Sequence, residues 1–281
     1  MTVKIITDSL GDIPADIVKK LDISIIPIQV LFGTQSFRDG IDMTTEQFYA
    51  RLVNTKTLPT TAVPALGVFS EIYDRVSEKT DEIVVLTISH KLSATFETAT
   101  RAAQMMKKKV RIKVIDSLQV IMGEGLLVIE AARAAQAKTK FDEIVKQIEN
   151  NIRRTDERMA FDTLEYLKRG GRIGAAQAFV GSILKLNPIL CLKEGEVYPL
   201  ARERSRAKAI EVLLNFAKSY GKVDAIAVED ATTPEEADSL AGKLQSLFPG
   251  ATMYRSKVSA VIGVHVGPSV IAVSILGDKK N

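Results

Sequence analysis

The chain has 281 residues, 46% hydrophobic and 26% charged, an ordinary globular balance with enough length for two cores. Its net charge of +4 mixes 38 Lys and Arg with 34 Asp and Glu, and with no Trp and few aromatics it offers no platform for stacking nucleic-acid bases. No apolar run approaches the ~20 residues of a membrane helix, the opening MTVKIITDS reads as a strand rather than a signal peptide, and a lone Cys191 excludes an intrachain disulfide and suits a reducing cytoplasm.

Strands and helices alternate from the start. Residues 3–7 form a short apolar strand, and Asp12 is placed to cap a helix running to about residue 21, with Pro14 in its first turn. Residues 23–32 are apolar and β-branched and read as one strand, with Gly33-Thr34 to turn it. Residues 44–53 and 64–77 read as amphipathic helices; in the first, Phe48 and Leu52 share a face. The run EIVVLTI at 82–88 is a buried strand, Ser93 precedes a helix to about residue 108, and 110–115 returns as a strand. Helices follow at about 125–138 and 141–153. This order implies a parallel sheet with right-handed crossovers.

The second half has another texture. Residues 159–161 read as a strand before a helix around Tyr166, and 175–184 as a helix. Strands at 188–192 and 196–200 flank Lys193-Glu194-Gly195, a hairpin signal. A helix at 205–220 and a strand at 223–228 come next. Thr233-Pro234-Glu235-Glu236 is a helix start with Thr as cap and Pro at the first position. Strands at 251–255, 259–266 and 270–276 complete a mixed sheet. The boundary is expected near residues 154–157, giving an N-terminal parallel-sheet, Rossmann-like α/β domain (1–155) docked on a C-terminal α/β domain with a mixed sheet (156–281).

The segment FDTLEYLKRGGRIG at 161–174 is the most informative of the chain. It writes a helix that stops abruptly, turns on Gly170-Gly171 and presents Lys168, Arg169 and Arg172. Elsewhere, hydroxyls gather where strands end: Asp8-Ser9, Ser89 to Ser93, Asp116-Ser117, and Thr60-Thr61 in a loop before a helix. Each could be a mere cap or turn residue. Together they lie where open α/β sheets bind ligands, near helix N-termini that suit a carboxylate or phosphate.

These segments resemble the DegV family of bacterial fatty-acid-binding proteins. The resemblance rests on Thr7-Asp8-Ser9, on Thr61 and Pro64, on Ser89-His90-Lys91-Leu92-Ser93-Ala94-Thr95-Phe96, on Asp162 to Arg172, on Arg204 before a basic helix, and on His265-Val266-Gly267-Pro268. The matches are in order over nearly the whole chain. The resemblance implies that Thr61 and Ser93 hold a fatty-acid carboxylate near the domain interface, that His265 belongs to the same polar network, and that the acyl chain enters an apolar tunnel. It implies no catalytic residue and no cofactor. It also implies a separate fatty acid kinase subunit as partner, with Arg172, Arg204 and Arg206 as candidate contacts, and a cytoplasmic setting. Ala94 in place of glycine, Phe96 in place of tyrosine, and Ala62-Val63 depart from the family pattern and bear on the head-group geometry.

A serine-dependent acyl hydrolase using Ser93 and His265 is the alternative. Against it, the chain has no G-x-S-x-G elbow. Two His and one Cys show no metal-ligand spacing, and no Walker loop is present to make the chain a kinase by itself.

Overall fold

The computed structural model describes residues 2–55, 57–180 and 186–280. The first half runs β1 (Lys4–Asp8), α1 (Ala15–Lys20), β2 (Ser24–Ile26), β3 (Gln29–Phe32), β4 (Gln35–Arg38), α2 (Thr45–Leu52), β5 (Thr60–Ala62), α3 (Leu66–Ser77), β6 (Glu82–Thr87), α4 (Thr95–Gln104), β7 (Arg111–Asp116), α5 (Ile121–Gln136) and α6 (Phe141–Ile152). Strands β2-β1-β6-β7 form a parallel sheet in that order. The central strand β6 is buried along almost its whole length, as its unbroken apolar run requires.

The second half runs β8 (Thr155–Ala160), α7 (Glu165–Arg169), β9 (Asn187–Lys193), β10 (Glu196–Glu203), α8 (Arg206–Lys218), β11 (Tyr220–Asp230), α9 (Pro234–Leu247), β12 (Thr252–Lys257), α10 (Ala260–Val266) and β13 (Ile271–Lys279). Its six-stranded sheet is ordered β10-β9-β8-β13-β11-β12 and is mixed: β11 and β12 are parallel, the other neighbours antiparallel. The two-part α/β architecture is therefore the expected one. The β9–β10 hairpin closes through Glu194 (φ 52°) and Gly195 (φ 81°), the double positive φ that a two-residue hairpin loop needs.

Several local expectations are corrected. Residues 23–32 are two strands in different sheets. Pro27 cannot donate to a ladder, and beyond it the Ile28 N–H goes to the Ser9 hydroxyl at 3.2 Å. Strand β3 then pairs antiparallel with β4 and β5 in a third, small sheet. Thr60 and Thr61 accordingly lie in a strand, not a loop. Residues 260–266 are helical, not a strand: a seven-residue apolar run has no period to separate the two, and burial on every side suits either. Asp12 does not cap α1. It is buried, adopts φ 47°, and accepts from the Ser259 N–H at 3.2 Å. Thr233 makes no side-chain cap bond, although α9 does begin at Pro234. Of the helix expected over 175–184, residues Gly174–Phe179 form 3-10 turns and 181–184 lie outside the described residues.

Candidate functional site

Three elements distant in sequence meet between the parallel and mixed sheets. Strand β5 carries Thr61, paired with Val30 of β3. Helix α10 packs on α2, β3 and β5 and carries His265 in its last turn. The loop after β6 carries Ser93, two residues before the first residue of α4. Thr61 Oγ1 lies 3.0 Å from His265 Nε2. The Ser93 hydroxyl is 2.8 Å from Thr95 Oγ1 and also accepts from the Thr95 N–H, so it shares the free N-terminal end of α4.

All three side chains border one cavity of about 150 Å³. Most of the remaining wall is apolar and drawn from both halves of the chain: Leu10, Ile88 and Ile121 from one half, Met159, Phe161 and Val261 from the other. Arg172 lines it too. Burial, with the Arg172 cation nearby, pushes the His265 imidazole down to about 4, so the ring is neutral at pH 7. His265 Nδ1 is buried and makes no hydrogen bond.

The DTLEYLKRGGR segment is bound to this cavity through two glycines. Helix α7 ends in paired bonds, Arg172 N–H to Leu167 O at 3.0 Å and Gly171 N–H to Lys168 O at 3.2 Å, around Gly171 at φ 69°. This is the six-to-one, five-to-two closure of a Schellman turn. A Cβ at Gly170 would strike His265 Nδ1, and one at Gly267 would strike the Tyr166 ring. At each contact a side chain of one helix therefore fills the space left by the glycine that ends the other. The turn aims Arg172 at the Ser93 loop, where its Nε donates to Leu92 O at 3.2 Å.

The other expected cations are placed differently. Arg206 is tied to Glu236 (3.0 Å) and lies 3.4 Å from Asp162, so its charge is met internally. Arg204 is exposed. Of the strand-end hydroxyls, Ser9 and Ser89 are engaged in the structure itself: Ser9 accepts from Ile28, and Ser89 donates to Gly195 O at 2.7 Å. Ser117 is fully buried. Among the described residues no group of His, Cys, Asp and Glu could hold a metal ion, and no helix is long and apolar enough to cross a membrane.

Sequence reasoning noticed Asp8 but missed three acids buried with it, Glu124, Glu157 and Glu229, each 0% exposed. Glu157 stands between Asp156 and Arg158 and Glu229 beside Asp230, so the letters alone read as ordinary surface charge.

Fold and site together define a two-part α/β protein with a polar-mouthed apolar cavity between its sheets. The chain belongs to the DegV family: the family model described as "Uncharacterised protein, DegV family" matches residues 2–278. A DegV domain-containing protein of Clostridium perfringens is 35% identical over 280 residues, 98% of each chain. A DegV-family protein from Thermus thermophilus, described as fatty acid binding, superposes with a TM-score of 0.91 at 29% identity, covering 99% of this chain and all of that one. DegV of Bacillus subtilis, described as a fatty acid binding protein, superposes with a TM-score of 0.89 at 29% identity over 99% of this chain and all of that one.

Proposed function

We propose that this chain binds a long-chain fatty acid and presents its carboxylate to a separate kinase subunit in the cytoplasm, which forms the acyl phosphate. The observation that carries the reading is that Thr61 and His265, in contact with each other, line one largely apolar cavity together with Ser93. The description of DegV-family relatives as fatty acid binding supports it.

The chemistry suits an amphiphile. Each buried methylene contributes roughly 0.8 kcal/mol, so a tail of about 15 methylenes supplies on the order of 12 kcal/mol before ordering costs. The carboxylate must keep hydrogen bonds when it leaves water. A neutral imidazole donates from Nε2 to Thr61 Oγ1, which leaves the Thr61 hydroxyl proton for the carboxylate. Ser93 adds a second hydroxyl at a helix N-terminus, where negative charge is favoured. Arg172, at the same cavity, adds a cation that faces both the head group and any approaching partner. In this reading the chain is two docked units, 1–155 and 156–281, with the ligand at their seam, and catalysis belongs to the kinase.

Nothing in the geometry favours the hydrolase. His265 Nε2 is on Thr61, Ser93 is on Thr95, and His265 Nδ1 has no acidic partner to orient it. The test is organic extraction of the purified protein with mass spectrometry, followed by titration with palmitate and oleate. A fatty acid in about one-to-one amount is expected. No extracted lipid together with no binding of either acid would overturn the proposal.

A further inference from the structure

The cavity wall contains an unusual backbone. Ile121, a β-branched residue, lines the cavity at φ 48°, and Leu118, three residues earlier, lies at φ 54°. Left-handed backbone is sterically disfavoured for such side chains and persists only where surroundings impose it. Ile121 is also the first residue of α5, and Val120 before it supplies no side-chain cap. The helix start therefore has neither local strain relief nor a local acceptor for its free N–H groups.

What holds it comes from the other sheet. Glu229, near the end of β11, accepts from the Met122 N–H at 3.0 Å. Glu157 of β8 lies against Gly123, where a Cβ would strike its carboxyl, and close to the Val120 amide, although neither of its oxygens reaches hydrogen-bonding geometry. Both glutamates are fully buried. Helix α5 packs on β8, β11 and β13, which brings both carboxyls to its first turn.

We propose that Glu229, with Glu157 beside it, is a positioning residue for the ligand cavity: it caps α5 across the seam and so holds Ile121 in the strained conformation that shapes the wall. Neither glutamate lines the cavity, and each acts only through residues 120–123. The inference rests on the fatty-acid reading for its functional consequence, not for its structural one.

The charge state indicates the informative variant. Burial, together with the neighbouring Glu157 and Asp230, raises the Glu229 carboxyl well above its usual range, against the pull of the Met122 N–H and Arg255. Burial and Asp156 raise Glu157 in the same direction. A neutral carboxyl is closely imitated by a carboxamide, which keeps the acceptor oxygen. Glu229→Gln should therefore restore what Glu229→Ala removes.

The experiment follows amide exchange at Met122 in the ligand-free protein and palmitate affinity in the same variants. In Glu229→Ala, Met122 exchange should quicken at least tenfold and palmitate affinity should fall roughly tenfold. In Glu229→Gln both should return to within about twofold of the parent. Equal loss in Gln and Ala variants, or unchanged Met122 exchange in Glu229→Ala, would overturn the proposal. If Glu229→Ala does not fold, the Gln variant decides alone: protected Met122 and parental affinity support the role, and loss of either refutes it. A parent chain that binds no palmitate sinks the proposed function instead, and the exchange comparison still tests the cap.

Discussion

Thr61 and His265 are 204 positions apart and meet at 3.0 Å. Neither is chemically unusual; their value is that one supplies a hydroxyl and the other a neutral ring to orient it. Ser93 is held differently, through Thr95 at the start of α4. If these hydroxyls bind the carboxylate, Thr61→Ala and Ser93→Ala should each weaken palmitate binding by roughly 1.5–3 kcal/mol, the range for a hydrogen bond to a charged group. The fold should be retained, because Thr61 lies on a short three-residue strand and Ser93 does not cap its helix through the cap position. Unchanged affinity in the double variant, measured by calorimetry, would place the head group elsewhere.

At the scale of elements, α7 and α10 are short, and neither is stable by itself. They are fixed by fit: Gly170 against His265, Gly267 against Tyr166, and the Schellman closure at Gly171. Gly171 is open to solvent with nothing near its missing Cβ, so a substitution there tests backbone conformation alone. Gly171→Ala should cost about 1 kcal/mol, the penalty of a left-handed L-residue. Denaturant unfolding would measure it, and a midpoint equal to the parent's would show that the turn relaxes freely. The same variant should loosen Arg172, whose bond to Leu92 depends on where the turn aims it.

Across the whole molecule, the seam between the sheets holds acids that prefer to be neutral. Burial, opposed by the Ile88 and Leu10 amides, raises Asp8 to about 7, and burial raises Asp39 to about 6. A group raised in the folded state stabilises fully below its unfolded value near 4, and that stability is lost as pH rises through 6 to 7. His265, lowered to about 4, acts oppositely between about 6.5 and 4, but it is one group against several. Thermal midpoints should therefore be higher at pH 5.5 than at pH 8 by about 5 °C, given that about 1 kcal/mol moves a chain of this size by roughly 2–4 °C. A higher midpoint at pH 8 would mean these acids are ionised without cost. Partner docking also belongs to this scale. Arg172→Glu should weaken both palmitate binding and kinase-dependent acyl phosphate formation, because Arg172 lines the cavity. Arg204→Glu should weaken only the second, most at low ionic strength where exposed charges are least screened. Equal loss of palmitate binding in Arg204→Glu would remove that residue from any partner role.

Local physics was written in the letters. The apolar run EIVVLTI had to be a buried strand, Lys193-Glu194-Gly195 had to turn, and Gly170-Gly171 had to end a helix, because each depends on a few neighbouring residues. The ordered motifs also marked Thr61, Ser93 and His265, which the fold brings to one cavity. Other features depended on partners far along the chain. Residues 260–266 became a helix because a short apolar run carries no period and its packing against Phe48 and Tyr49 decides its form. Asp12 left the helix it could have capped for a buried bond to Ser259, 247 positions away. Arg172 became a cavity residue through the direction of a single turn, and Glu229 became the cap of a helix more than a hundred positions earlier. Such contacts have no local pattern; they exist only once two sheets have docked and closed water out between them.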